Sequence, residues 1–540
     1  MKRYELIVIG AGPAGLSAAC IAAEMGMQVV VFDENLKPGG QLFKQIHKFF
    51  GSREHQARTR GMVIGENLLA HAREQGVRVV LGATVLGIYK HKEVSVRLEG
   101  EVRNFKADAI IVATGAAENM MSFEGWTKPG VMGAGAAQTL MNLHGIKPGN
   151  KVLMVGSGNV GLVVSYQLLQ AGCDVVALVD AAPRIGGYGV HAAKLARTGV
   201  PFYTSHTIVR ALGAEAVEGA VIAEVDASFT PISGTEKVLA VDTICIAVGL
   251  SPMSQMADTA GCVMTYDGGK GGYVPLLDSY GQTSLPGIFC AGDICGIEEA
   301  SSAMIQGKVA AMAAANQLGY TDEDEFLHKT QEYEASLQKI RAGMFGPGKK
   351  GRNDIVTTEE GYPLSQSLLK HGFIEEAETA AFPALAHTAG IRIVMECTQN
   401  IPCDPCQDAC PQGCIKVGQD ITLLPGLDLD KKCTGCGLCV GACSGQAIFL
   451  INDAYEEGYG TVGLPYEFLP LPQKGEQGKA LDRRGREVCD AVVVEVRNSK
   501  VMDKTAMLVM KVPASEVGRA RFFKSDMQSS KKGAGYGNNR

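Results

Sequence analysis

Tyr4–Glu34 reads YELIVIGAGPAGLSAACIAAEMGMQVVVFDE. Tyr4–Ile9 is a short apolar run rich in β-branched residues, the pattern of a strand buried on both faces. Gly10-Ala11-Gly12-Pro13-Ala14-Gly15 follows as a turn, Pro13–Met25 as a helix, and Gln28–Phe32 as a second strand ending at Asp33. This is a βαβ unit with G-x-G-x-x-G in its first turn and an acid about twenty residues on. Gly10 permits the tight turn, Gly12 lets backbone N–H groups approach a pyrophosphate at the helix N-terminus, and Gly15 lets helix and strand lie close. Asp33, or its neighbour Glu34, is placed to accept from ribose hydroxyls. The segment predicts dinucleotide binding.

A chain of 540 residues has room for three or more domains, and 46% hydrophobic residues supply their cores. The net charge of −6 gives no argument for nucleic acid. No apolar run is long enough to span a membrane and no signal peptide precedes the first strand, so the cytoplasm is the expected compartment. Sixteen cysteines in that setting point to metal or redox chemistry. Nine of them fall between Cys397 and Cys443.

Downstream of the first unit, Gly40-Gln41 follows the second strand by a short loop, with Lys44 and His47 beyond. Residues 62–75 read as a helix, and Val77–Leu81 and Ile88–Leu98 as strands. Asp108–Val112 is a buried strand running into Ala113-Thr114-Gly115, and a later strand ends in Gly292-Asp293 before the helical stretch Ala300–Leu318. Together these turns resemble those of the two-dinucleotide-domain flavoprotein reductases, the group that contains thioredoxin reductase. The resemblance implies FAD held by Gly10, Gly12, Gly15, Asp33, Gln41, Gly115 and Asp293, with Pro13, Ala14, Gly40, Ala113, Thr114 and Gly292 in the same turns.

A second fingerprint interrupts this domain. Lys151–Val155 reads as a strand, Gly156-Ser157-Gly158-Asn159-Val160-Gly161 as the turn, Leu162–Gln170 as a helix and Asp174–Val179 as a strand ending at Asp180. An acid there favours NAD, because a 2′-phosphate would be repelled; Arg184 nearby leaves NADP or another adenine nucleotide open. Gly249, where the chain returns to the first domain, completes the candidate set. Only Cys173 and Cys245 lie between Gly115 and Gly249, far apart, and no cysteine accompanies Gly40-Gln41, so disulfide reduction is poorly supported. Cys290 and Cys295 read as packing residues.

Cys433-x2-Cys436-x2-Cys439-x3-Cys443 has the bacterial ferredoxin spacing, in which the fourth cysteine serves a second cluster. Three cysteines two apart with a fourth beyond fit zinc poorly. The first half is irregular: Cys397-x5-Cys403-x2-Cys406-x3-Cys410-Pro411, with Cys414 beyond. The crossover rule gives one [4Fe–4S] cluster Cys433, Cys436, Cys439 and Cys410. The other takes Cys403, Cys406 and Cys443 with Cys397 or Cys414, Cys397 being favoured by its slot.

The expected organisation is α/β: two Rossmann-like dinucleotide-binding domains, for FAD (1–117 and 249–320) and NAD (118–248), a helical connector (321–395), a ferredoxin-like 2[4Fe–4S] module (396–452), a small β-rich module (453–524) and a disordered tail (525–540). In the connector, Phe326, Thr330, Tyr333, Leu337 and Ile340 describe a helix burying one narrow face, and Gly346–Gly351 a linker. Val488–Val496 and Ala506–Val512 read as strands.

Gly125-Trp126-Thr127-Lys128-Pro129-Gly130-Val131-Met132-Gly133-Ala134-Gly135-Ala136-Ala137-Gln138 resembles the α subunits of multi-subunit amino-acid and imino-acid dehydrogenases, among them dye-linked L-proline dehydrogenase, opine oxidase and hydrogen cyanide synthase. The resemblance spans roughly residues 1–320. It implies an electron-transfer subunit beside a second flavoprotein subunit that oxidises an amino acid, imino acid or N-methyl amine, with ferredoxin or another carrier as acceptor. The appended dicluster segment departs from members with a [2Fe–2S] tail. A stand-alone NAD(P)H:acceptor or ferredoxin oxidoreductase, similar to the small subunit of glutamate synthase, is the alternative; there the cluster module comes first.

Overall fold

The computed structural model describes residues 1–344, 346, 365–381 and 390–526. They belong to two compact units, one built from Met1–Asn119 and Gly249–Arg352, the other from Met120–Val248 and Asn353–Arg540.

In the first unit, Lys2–Ile9 lies in a seven-stranded sheet between Val29–Phe32 and Glu101–Val112, parallel to both, with Val8 opposite Val31 on one side and Ile111 on the other. Leu6, Val8, Val29 and Val31 face a core that also holds Leu16, Ala310 and Ala314 of two covering helices. Ile7, Ile9, Val30 and Phe32 face a second core with Ile88, Val94 and Val96. Burial on both faces explains why these strands read as unbroken apolar runs. The segment expected as one strand, Ile88–Leu98, belongs to a hairpin of Thr84–Tyr89 and Glu93–Leu98. Its turn, Lys90-His91-Lys92, places His91 and Lys92 at φ 62° and 56°. The strand before Gly115 begins at Glu101, earlier than expected, because its first half pairs antiparallel with Glu93–Leu98. The helix Glu323–Arg341 buries Phe326, Thr330, Leu337 and Ile340. Phe326 and the partly buried Tyr333 join the core of this same unit.

In the second unit, five parallel strands run in the order Phe202–Thr204, Asp174–Asp180, Lys151–Val155, Thr243–Ile246, Val131–Gly133. The Gly125–Gln138 stretch supplies the edge strand and opens the helix Ala134–His144; its buried Gln138 donates to Gln167 Oε1 at 3.0 Å. A seven-stranded antiparallel sheet follows, in the order Ile391–Met395, Ile448–Glu456, Tyr459–Tyr466, Ala506–Pro513, Glu487–Arg497, Gln477–Leu481, Phe522–Ser525. The expected boundary at 452/453 therefore falls inside a strand, and the cysteine segment is a long insertion between two paired strands, Met395 standing opposite Ile448 at its base. Mixed α/β architecture with two dinucleotide-binding domains is observed; among the described residues no helix is long and apolar enough to cross a membrane. The expected linker beyond Gly346 and the tail from residue 527 lie outside the described residues, whereas Ser525, expected in the disordered tail, pairs with Gly478 at the end of the strand Phe522–Ser525.

Candidate functional site

At the first fingerprint the three glycines have different reasons to be glycine. Gly10 sits at φ +102°, and a Cβ there would lie 2.4 Å from the Ala113 carbonyl oxygen; at Gly15 it would lie 1.9 Å from the Gly10 carbonyl oxygen. A Cβ on Gly12 would meet nothing within 4 Å. Two glycines are required by the fold, and the third faces open space at the start of the helix Pro13–Glu24, which Pro13 opens without needing a hydrogen-bond donor. Asp33 is buried; its carboxylate accepts from Ala11 N at 2.6 Å and from Asn35 N and Nδ2 at 2.8 and 2.9 Å, so it braces the turn, while Glu34 is exposed.

The other first-site candidates converge on that turn. A Cβ on Gly40 would lie 3.0 Å from Gly12 Cα, and Gly39 N donates to Ala11 O at 2.7 Å, which lays the Gly39–Gln41 loop over the fingerprint with Gln41 exposed. Gly292 packs against Ala14, and Gly307 brings its helix against the Ala14 backbone. Ala113 N donates to Ile9 O at 2.8 Å, Thr114 Oγ1 to Met253 O at 2.7 Å, and Gly115 O accepts from Met253 N at 2.9 Å. Asp293 Oδ1 accepts from Glu298 N at 3.3 Å. These groups gather at the carboxyl ends of the parallel strands, where open α/β sheets bind ligands. Lys44 follows in the same loop; burial lowers its pKa, with Glu118 opposing. His47 stacks on Phe49.

The second fingerprint repeats the construction. Gly156, at φ +107°, would place a Cβ 2.2 Å from Ala247 O, Gly161 would place one 2.0 Å from Gly156 O, and Gly158 again meets nothing within 4 Å. Asp180 accepts from Ser157 N at 2.7 Å and from Ala182 N at 2.9 Å. Asn159 Oδ1 accepts from Tyr188 N at 2.8 Å, and Val160 is exposed. Gly249, at φ +118°, accepts from Asn119 N at 3.0 Å in the first unit. Sequence reading missed the loop Gly186-Gly187-Tyr188, in which Gly186 N donates to Ser157 Oγ at 3.0 Å and Gly187 N to Ser157 O at 2.8 Å. The signal was present: Gly186-Gly187 follows Asp180 at the same distance as Gly39-Gly40 follows Asp33.

The open and closed glycines should respond differently to the same substitution. Gly12→Val and Gly158→Val are expected to unfold at the wild-type temperature yet weaken FAD and NADH binding, respectively, at least about tenfold, ~1.4 kcal/mol. Gly15→Val and Gly161→Val drive a side chain into a backbone carbonyl and should fail to fold. Thermal unfolding beside bound-flavin absorbance and NADH titration tells them apart. Loss of folding in the first pair would show that Gly12 and Gly158 serve packing.

The cysteine segment sorts into two neighbourhoods. Cys410, Cys414, Cys433, Cys436 and Cys439 line one small cavity with Ile393 and Leu450. Within it Cys414 N donates to Cys410 Sγ at 3.2 Å and Gly435 N to Cys433 Sγ at 3.4 Å. Burial pushes the Cys397 thiol well up, Cys443 and Cys406 adding to the rise; burial and Cys443 push Cys406 up to about 12, and Cys406 and Cys443 pack on the same apolar core as the Cys410 group. Ala447 N donates to Cys443 Sγ at 3.4 Å. Cys414 thus stands with the Cys410 group and Cys397 with the Cys443 group. The roof comes from far along the chain: Met507 lies against Gly437 and Met502 against Gly441. Among the described residues no group of three or more His, Cys, Asp and Glu side chains is drawn together as a metal site. The donor chemistry nonetheless fits iron–sulfur ligation: crowded, half-buried thiols resist ionisation next to one another, and a bound cationic centre removes that resistance. Cys290 and Cys295, whose thiols burial also raises, pack in the first unit's second core.

Comparison with known proteins places these turns. The pyridine nucleotide-disulphide oxidoreductase family matches residues 4–307. An opine oxidase subunit from Rhizobium meliloti is 29% identical over 336 residues, 58% of this chain and 63% of its own length, so this chain spans less than two thirds of that relative. Hydrogen cyanide synthase subunit HcnB of Pseudomonas protegens is 26% identical over 361 residues, 62% of this chain and 75% of its own. The crystal structure of L-proline dehydrogenase from P. horikoshii aligns with a TM-score of 0.48 at 23% identity, covering 61% of this chain and 59% of that one. Because the family match runs through both fingerprints and ends inside the helix that Gly307 seats against Ala14, the chain belongs to the pyridine nucleotide-disulphide oxidoreductase family, redox enzymes whose membership implies FAD and NAD(P).

Proposed function

We propose that this chain is the electron-transfer subunit of a cytosolic amine or amino-acid dehydrogenase complex. FAD would be held at the first fingerprint, NAD at the second, and two [4Fe–4S] clusters in the cysteine segment. What supports the reading is that Cys410 shares a cavity with Cys433, Cys436 and Cys439 while Cys397 lies near Cys443 and Cys406, as the crossover of a dicluster ferredoxin would have it, with Cys403 joined to the second set by spacing. One cluster falls to Cys410, Cys433, Cys436 and Cys439, the other to Cys397, Cys403, Cys406 and Cys443. A bound flavin supplies the exchange between two-electron and one-electron chemistry that joins a nicotinamide to iron–sulfur centres.

The chain's own residues bind and orient. Gly12 and Gly158 leave the helix N-termini open to a pyrophosphate, and Asp33 and Asp180 brace the turns that present those N–H groups. The Asp180 carboxylate at the strand end disfavours a 2′-phosphate and supports NAD over NADP. The matching opine oxidase and hydrogen cyanide synthase chains are by name subunits of larger enzymes, which supports a partner here; a second flavoprotein that oxidises an amino acid, imino acid or N-methyl amine is the partner proposed, with ferredoxin or another carrier as acceptor.

Anaerobically purified chain should contain FAD and about eight irons. NADH should bleach the flavin and raise a reduced-cluster EPR signal. The isolated chain is expected to reduce an artificial dye with NADH and to leave proline, hydroxyproline and sarcosine untouched, amine turnover appearing only with the co-expressed partner. Robust amine oxidation by the isolated chain would sink the division of labour and leave an oxidase with its own substrate site.

A further inference from the structure

Among the described residues, three arginines meet beside the Cys397 group. Arg521 is 2% exposed, Arg197 4% and Glu396 7%. Arg521 Nε donates to Glu396 Oε1 at 2.6 Å and Arg483 Nε to the same oxygen at 2.8 Å. Arg197 Nη1 donates to Gln446 O at 2.9 Å, and the guanidinium groups of Arg197 and Arg521 lie 5.4 and 5.0 Å from the Phe449 ring centroid. Arg197, Arg483, Arg521 and Glu396 line one small cavity with Phe373. Arg483 and Arg521 share the Glu396 carboxylate, and Arg197 stands near both Glu396 and Glu467, so three guanidinium groups face two carboxylates, a largely buried surplus of one positive charge. Such a surplus is costly unless something anionic stands close by.

The anionic neighbour is given by the chain path. Glu396 immediately precedes Cys397 and its N–H donates to Ala447 O at 2.8 Å. Ala447 N donates to Cys443 Sγ, and Gln446 N to Cys443 O at 3.1 Å. Gln446, at φ +54°, is held in that uncommon conformation by Arg197 on its carbonyl and by Tyr166 OH, 2.9 Å from its side-chain oxygen. The arginines are therefore tied to the backbone next to Cys397 and Cys443. Beside the Cys410 group, among the described residues, Arg497, which donates to Gly435 O at 2.6 Å, is paired with Glu495, Lys416 is paired with Asp428, and Lys431 and Lys432, next to Cys433, are exposed to solvent that screens them. N–H donors reach sulfur in both groups, so hydrogen bonding to sulfur does not separate them. Net charge does, and net charge is one of the levers that set a cluster's potential.

We infer that Arg197, Arg483 and Arg521 hold the cluster of the Cys397 group at a higher reduction potential than that of the Cys410 group, so that a single electron entering the module rests beside Arg197. The inference builds on the dicluster reading above. In the reduction itself, one electron from the reduced flavin of the proposed route would add to one cluster and raise its negative charge by one, which the buried surplus would stabilise. The three arginines are positioning residues, acting through charge.

The test is a stepwise dithionite titration of the anaerobic holoprotein followed by EPR. Two midpoints are expected, the higher one missing from the Cys397→Ala protein. Arg197→Gln should lower that midpoint by a factor of about ten in the reduction equilibrium, ~59 mV for one electron. Glu396→Gln, which enlarges the positive surplus, should raise it, and Arg197→Lys should leave it near the wild-type value. The lower midpoint should stay fixed throughout. Opposite shifts from the two charge changes are something a purely structural role would not produce. Unchanged midpoints, shifts of the same sign, or movement of the cluster that survives in Cys397→Ala would overturn the inference. Wild-type protein with far fewer than about eight irons would instead overturn the dicluster reading.

Discussion

Cys397→Ala protein is expected to bind about four irons per chain where the wild type binds about eight, while Cys414→Ala keeps the full complement. Spacing alone leaves these two cysteines as rivals for one ligand position. Cys414 hydrogen-bonds through its own N–H to Cys410 and shares a cavity with Cys433, Cys436 and Cys439. Four cysteines are already present there without it, so its loss removes no ligand. Cys397 neighbours Cys443 and Cys406, and nothing in the Cys410 group replaces it. FAD should remain in both variants, because the first fingerprint belongs to the other compact unit. Iron and acid-labile sulfide analysis with flavin absorbance decides the matter. The reverse pattern, iron lost from Cys414→Ala and kept in Cys397→Ala, would exchange the two ligands.

Arg521→Ala should destabilise the second unit by ~3–5 kcal/mol, a fall of roughly ten degrees in unfolding temperature. The buried guanidinium binds Glu396 and also donates to Ala520 O at 2.7 Å and Val517 O at 3.3 Å. Its removal leaves those acceptors short of a donor in a region closed to water, beside Phe449. Arg519 provides the contrast two residues away. It pairs with Glu516 at 3.0 Å with its side chain 45% exposed, and Arg519→Ala should cost ~0–1 kcal/mol. Chemical denaturation of the two variants measures the difference. Equal costs would mean that the buried network contributes no more than a surface pair.

Both dinucleotide folds were legible because their signals are local. Strand, glycine turn, helix and acid lie within some thirty residues, and Gly15 and Gly161 each answer to a carbonyl of their own turn, Gly10 O and Gly156 O. The Thr84–Leu98 hairpin was harder. Val94 and Val96 are as apolar as any strand residue, and only the polar turn at Lys90–Lys92 marks the reversal. The continuous sheet across residue 452 was not legible, since its pairings join Ile391–Met395 to Ile448–Glu456 over the whole cysteine segment. The Gly186–Tyr188 loop could have been found by laying the two acids over each other. The arginine cluster could not, because Arg197, Arg483 and Arg521 are brought together only by tertiary packing.

The cysteine segment also has a history during synthesis. Its thiols are complete once Cys443 has been made, but Met502 and Met507, which cover Gly441 and Gly437, come later, as does the strand Ala506–Pro513 that backs the sheet. At ribosomal rates that interval is on the order of several seconds per chain. Throughout it Met502 and Met507 are not yet present to cover Gly441 and Gly437, which on the dicluster reading leaves the segment open alike to an iron–sulfur donor and to oxidant. Yield of loaded protein should therefore follow the balance between cluster supply and oxygen while the last strands are being translated, and slowing translation in air should lower it.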